Sequence, residues 1–218
     1  MRKILTQYGR FLYELCQWQY VPLYVIACGA THILVMSGFD WAYFIFAMHY
    51  VPRPLLFIAD LSGTFTFVFL PIVLLTLVHR RKRMQFAALA HASAYAIILA
   101  FSVSTFIKCF TGRVSPPDDA SVFIDNSHAF QFGFMREQII GGWPSSHTTI
   151  AFALATALCI FYFRTWYARA AVFSAAFFIG IGVTLGFHWF SEFIAGALLG
   201  IAIGHVVGQA YRKTDSSH

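Results

Sequence analysis

Apolar residues in this chain run on rather than alternate. Six stretches, at about 18–37, 54–78, 86–106, 145–163, 170–187 and 191–211, carry only weak polar interruptions. A helix needs roughly 17–25 largely apolar residues to cross a hydrocarbon core, so the pattern predicts six transmembrane helices. The first run is too long and begins too late for a signal peptide, and no small-residue cleavage site follows it, so it is expected to be a permanent span. The fold class expected is all-α, an integral membrane six-helix bundle. One domain is expected over 1–218, without internal repeats.

Composition strengthens this reading. Of 218 residues, 59% are hydrophobic and only 11% are charged, against about 25% charged in a soluble domain. The fifteen Lys and Arg residues orient the bundle, because cytoplasmic ends collect positive charge. Eleven fall on one side: Arg2, Lys3 and Arg10; Arg80, Arg81, Lys82 and Arg83; Arg164 and Arg169; Arg212 and Lys213. Only four, Arg53, Lys108, Arg113 and Arg136, fall on the other. Both termini are therefore expected in the cytoplasm. Because the basic residues sit in short clusters at helix ends, topology accounts for them and no nucleic-acid partner is expected. Cys16, Cys28, Cys109 and Cys159 are scattered, without metal or redox spacing.

Three loops are expected on the outer face, near 38–53, 107–144 and 188–190. The middle one is long for a compact domain, and such loops are usually functional or disordered. Gly112, Pro116, Pro117, Asp118 and Asp119 suit a turn, while Phe130, Phe132, Phe134 and Met135 suit a lid or a flap resting on the membrane.

Unusual polar groups gather at three outward helix ends: Lys108 and Arg113 after the third span, Ser145, Ser146 and His147 at the start of the fourth, His188 and Glu192 between the fifth and sixth. Four residues apart on a helix, His188 and Glu192 share a face. The carboxylate can then hold one imidazole nitrogen and aim the other outward, an arrangement suited to a base or nucleophile. Ser145 and Ser146 can cap a helix, and free N–H groups at a helix start also attract anions. With Lys108 and Arg113 nearby, the ligand is expected to be an anion, and a phosphate more readily than a carboxylate. A metal is disfavoured, because Lys and Arg oppose a cation and no compact set of ligands is present. No cofactor is expected.

At these residues the chain resembles the type 2 phosphatidic acid phosphatase family of six-span membrane lipid phosphatases. The family pattern is Lys, six residues, Arg-Pro; then Pro-Ser-Gly-His; then Ser-Arg, five residues, His, three residues, Asp. Lys108, Gly112, Arg113 and Pro116 fit the first part, Pro144, Ser145 and His147 the second, His188 the third. Ala195-Gly-Ala-Leu-Leu-Gly200 is also similar to the family, and the likeness runs from about 54 to 205. Ser115 and Gly182 stand where the family has arginines, Ser146 replaces its glycine and Glu192 its aspartate.

The resemblance implies a phosphohistidine route. His188 would attack phosphorus, Glu192 would hold its tautomer, and His147 would protonate the leaving oxygen. Lys108, Arg113, Ser145 and the backbone at Ser146 would bind the phosphoryl oxygens. Because Lys is a point charge and Arg a planar fork, Arg113 or Arg136 is expected to replace the missing clamps. The expected partner is a phosphorylated lipid at the outer leaflet of a bacterial inner membrane: undecaprenyl pyrophosphate, phosphatidylglycerol phosphate, phosphatidic acid or a lipid A phosphate. A lipid-to-lipid phosphotransferase and a non-catalytic lipid-phosphate binder are the alternatives, and oligomeric state is undefined. His32, His91 and His205, within spans, are expected mainly to hydrogen-bond between helices, and Asp60 to be a structural partner.

Overall fold

The computed structural model describes residues 2–52, 54–55, 61, 84–117, 124–136 and 142–215. Most of the expected second span, with Asp60, and the cluster Arg80–Arg83 lie outside the described residues, as does Arg53. The described chain is mainly helical: α1 (Arg2–Leu15), α2 (Val21–Met36), α3 (Phe39–Tyr50), α4 (Met84–Lys108), α5 (Ser146–Phe161), α6 (Trp166–Val183) and α7 (Phe190–Asp215). A single 3-10 turn, Trp18–Tyr20, leads into α2. Among the described residues four helices are long and apolar enough to cross a membrane: Trp18–Met36, Ala87–Lys108, Trp166–Val183 and Phe190–Arg212. They coincide with the first, third, fifth and sixth predicted runs. The fourth run folds as α5, which is shorter and almost wholly buried among its neighbours.

The segment 38–53, expected as an outer loop, is instead largely helical. Gly38 takes the left-handed conformation, φ 70°, that ends α2 and releases the chain into α3. At 12 residues, α3 is about 18 Å long, too short to span. Its aromatic face explains why it folds: Phe44 meets Trp189 edge-on at 5.8 Å, Phe39 meets Phe190 at 5.2 Å, and Tyr43 Oη lies 2.8 Å from Thr184 Oγ1. These contacts fasten α3 to the end of α6 and the start of α7.

The pairing of α5 with α7 organises the bundle. Gly196, Gly200, Gly204 and Gly208 recur every fourth residue of α7, and the carbonyls of Ser145, Thr149, Ala153 and Ala157 recur every fourth residue opposite them. A Cβ on Gly196 would lie 2.7 Å from the Ser145 oxygen, and one on Gly200 would lie 2.5 Å from that of Thr149. Only hydrogen fits there. In a membrane, where lipid is as apolar as Leu, close backbone packing of small residues is a main source of helix association, with Cα–H···O contacts adding to it. Around this axis Leu99, Ala96, Ile150, Ile203 and Val206 join α4, α5 and α7 in one core, while Phe152 and Phe193 join α5 and α7 to α6.

Two of the intramembrane histidines behave as surface residues: His32 and His91 are exposed. His205 makes an interhelical hydrogen bond, with its Nδ1 2.8 Å from Tyr20 Oη at the foot of α2. The long loop contains an antiparallel hairpin, β1 (Thr111–Arg113) with β2 (Phe130–Phe132), in which Arg113 pairs with Phe130. Trp143 ties the loop's return to the bundle, its indole N–H donating to Thr31 Oγ1 at 2.8 Å.

Candidate active site

The glycine ladder brings the N-termini of α5 and α7 together. Ser145 is the N-cap of α5, its Oγ accepting from the Thr148 backbone N–H at 3.4 Å and the Thr148 hydroxyl at 3.1 Å. Its own N–H donates to the Glu192 carbonyl at 3.2 Å, a direct bond between the two helix starts. His147 lies in the first turn of α5 and His188 just ahead of α7, with ring centroids 6.0 Å apart and planes inclined at 60°. Ser146 Oγ accepts from Ser104 Oγ of α4 at 2.9 Å. Ser145, Ser146, Lys108, His188 and Glu192 are all buried.

His188 Nδ1 lies 2.6 Å from Glu192 Oε2. Burial pushes the His188 pKa below the ordinary histidine value; the hydrogen bond and charge of Glu192 oppose this, while Lys108 and Arg113 add to it. The imidazole is thus neutral at neutral pH, donates Nδ1–H to the carboxylate and presents an Nε2 lone pair. Lys108, at the end of α4, interacts electrostatically with both histidines and with Glu192.

Arg113, expected as a phosphate clamp, has its guanidinium engaged within the protein. Nε donates to the Ser127 carbonyl at 2.9 Å; Nη1 donates to Ser191 Oγ at 2.8 Å and Glu192 Oε1 at 3.4 Å; Nη2 donates to Asp40 Oδ2 at 2.7 Å and again to the Ser127 carbonyl. Five N–H donors thus meet five acceptor contacts within the protein. The guanidinium is sandwiched between Phe130, 4.7 Å from its ring centroid, and Trp189, at 5.4 Å. Because Arg113 meets the carboxylate that binds His188 Nδ1, it stands behind the imidazole, away from Nε2. Phe130 accordingly serves as a packing platform for Arg113 rather than as a free flap, while Phe132 and Phe134 are exposed.

Arg136 is exposed at the far end of the hairpin, with its side chain over Gly133, where a Cβ would meet its Cγ at 3.2 Å. Ser115, at the first missing arginine, is exposed, and Gly182, at the second, is buried in α6. Asp40 went unnoticed in the sequence, though it is fully buried and accepts from the Ser191 backbone N–H at 2.8 Å, from Ser191 Oγ and from Arg113. The available signal was a lone carboxylate two residues after Gly38, at a helix start; its partners lie 73 and 151 residues away.

Among the described residues no three His, Cys, Asp or Glu side chains converge as a metal site would require. An apolar cavity of about 800 Å³ lies beside the site between α1, α2, α4 and α7. Ile107 and Pro144 in its wall directly precede Lys108 and Ser145.

This arrangement of helices and polar ends has counterparts. The PAP2 superfamily matches residues 87–215, more than half of the chain, and the protein belongs to that superfamily. Among solved structures, it is similar to the first transmembrane PAP2 type phosphatidylglycerolphosphate phosphatase from Bacillus subtilis, with a TM-score of 0.58 and 15% identity over 92% of this chain and 98% of that one. That likeness shows a common transmembrane fold, and the apolar helices make this an integral membrane protein. No curated protein matches the chain.

Proposed function

We propose that the protein is a membrane lipid phosphatase that hydrolyses a phosphate monoester or pyrophosphate of a lipid through a phosphohistidine. The carrying observation is the pair of imidazoles at 6.0 Å, one held by Glu192 at 2.6 Å. One phosphoryl group can meet both rings, since hydrogen bonds of about 2.9 Å reach it from either side. His188 Nε2 attacks phosphorus, and the P–O bond to the leaving group breaks as His147, an imidazolium once the phosphate dianion is bound beside it, donates its proton to that oxygen. Water then attacks the phosphohistidine, loses a proton to His147, and releases inorganic phosphate and neutral His188.

Lys108, the Ser145 hydroxyl and the N–H groups at the start of α5 stabilise the oxygens, where phosphoryl transfer gains most from positioning and charge. Arg113 is a positioning residue in this reading, because its donors are already engaged. Arg136 is available only at the rim. The hydrocarbon chain of the substrate rests in the apolar cavity, whose wall runs into the site at Ile107 and Pro144. The eleven-to-four division of cations supports six spans within one domain over 1–218, cytoplasmic termini and a site facing the periplasm of a bacterial inner membrane.

The test is release of inorganic phosphate by purified protein in detergent from phosphatidic acid, phosphatidylglycerol phosphate, undecaprenyl pyrophosphate and a lipid A phosphate. Release from at least one, lost in His188→Ala, is expected. Release from none would refute the reading, and phosphate appearing only on an added acceptor lipid would make the protein a phosphotransferase.

A further inference from the structure

The catalytic carboxylate has a second neighbour of opposite charge, and that neighbour is itself held by a residue remote from the matched family segment. Glu192 Oε2 binds His188, while Oε1 receives Arg113 Nη1 at 3.4 Å. Left to itself, a buried guanidinium would take Glu192 as its counter-ion, because an unpaired buried charge is costly. Asp40 takes the larger share of that charge. Its Oδ2 takes Arg113 Nη2 at 2.7 Å, the shorter of the two ion pairs, and both its oxygens accept from Ser191, one residue before Glu192.

We infer that Asp40 of α3 is a positioning residue for the nucleophile: by neutralising Arg113 and fixing the first turn of α7, it leaves Glu192 to serve His188. The inference rests on the phosphatase reading for its consequence in turnover but not for its geometry. Asp40 precedes the residues that match the family, 87–215, so α3 supplies a part of the site that the matched segment lacks. Ser191 completes the link, accepting from Arg113 while donating to Asp40.

The groups facing His188 are Glu192 on α7, Lys108 on α4, His147 on α5 and Arg113 on β1. Removing the negative charge of Asp40 leaves Arg113 with Glu192 alone as its counter-charge, so a proton on His188 becomes less favourable. Removing the positive charge of Arg113 does the opposite. Asp40→Asn and Arg113→Gln should therefore shift the titration of His188 in opposite directions, although each breaks the same ion pair. A merely structural pair would give loss of the same kind in both.

The experiment follows carbethoxylation of His188 by diethyl pyrocarbonate against pH, read by peptide mass spectrometry on full-length protein in detergent. Only the neutral imidazole reacts. The midpoint should fall by about half to one pH unit in Asp40→Asn and rise by a similar amount in Arg113→Gln, the range expected for a charge one residue removed from the ring. Turnover of Asp40→Asn should fall at least tenfold with KM within about twofold, since lipid binding does not use Asp40. Unshifted midpoints, or midpoints that move together, would overturn the inference. If one variant does not fold, the sign of the other's shift still decides. Shifted midpoints in a protein that releases no phosphate from any lipid would refute the phosphatase reading and leave the inference standing; turnover with fixed midpoints would do the reverse.

Discussion

Gly200→Ala should damage both stability and turnover, because it presses directly on the seam that joins the two histidines. A Cβ there would lie 2.5 Å from the Thr149 oxygen, 2.8 Å from Phe152 Cβ and 3.0 Å from the Ala153 nitrogen. Two of these atoms are backbone and cannot swing aside. Ordinary contact begins near 3.4 Å, so α7 must move from α5 by about 3.4 − 2.5 = 0.9 Å. Overpacking of this kind costs about 1–3 kcal/mol, partly offset by the roughly 1 kcal/mol that alanine gains over glycine in a helix. His188 stands just ahead of α7 and Gly200 ten residues beyond its first residue, Phe190, about 15 Å along the axis, and a shift near 1 Å at a reacting centre can cost about 100-fold in rate. The control is Gly29→Ala in α2, where a Cβ meets nothing within 4 Å. Thermal unfolding followed by tryptophan fluorescence, together with phosphate release in the same detergent, should show Gly200→Ala less stable and at least tenfold slower, with Gly29→Ala unchanged or slightly stabilised. Indistinguishable variants would refute the claim that backbone contact along the ladder sets the site.

Other outcomes are accessible to simple assays. His147→Ala should accumulate labelled phosphate on the protein while His188→Ala should not; equal labelling of both would reverse the assignment of nucleophile and acid. The acid limb of phosphoenzyme formation should lie below the ordinary histidine range, near 6.5, because burial lowers the His188 pKa and the ring stays neutral until the pH falls beneath that value; a limb above it would contradict the burial argument. Activity should persist in metal chelators, because the proposed mechanism draws its positive charge from Lys108; complete loss restored by a divalent ion would favour a metal. A cysteine at Asp125 should react with an impermeant thiol reagent in intact cells and one at Gln85 should not, and the opposite pattern would invert the topology.

The spans were legible because crossing a bilayer demands a length and a composition that Trp18–Met36, Ala87–Lys108 and Phe190–Arg212 display openly. The pairing of His188 with Glu192 was legible for a local reason, since both lie within about one helical turn. Helix α3 was not, because 12 residues bearing Asp40 and His49 neither reach spanning length nor show a sharply divided face. What makes Phe39–Tyr50 helical is its aromatic contact with Trp189 and Phe190, some 150 positions away in sequence. Arg113 illustrates the same limit. Its proximity to Lys108 suggested a shared phosphate, but the hairpin with Phe130–Phe132 turns its side chain toward Asp40, and nothing near residue 113 announces that strand pairing.

The bond between Asp40 and Arg113 also bears on where the working unit of this protein begins. A chain started at residue 87 would retain both histidines, Lys108 and Glu192, yet would enclose a guanidinium whose nearest carboxylate had been cut away. Breaking a buried ion pair from one side costs about 3–5 kcal/mol, a large share of the stability of an ordinary domain. The matched segment is therefore not an interchangeable module. Any relative that lacks an acid at the place of Asp40 should also lack the base at the place of Arg113, so that the two positions are inherited, or lost, as a pair.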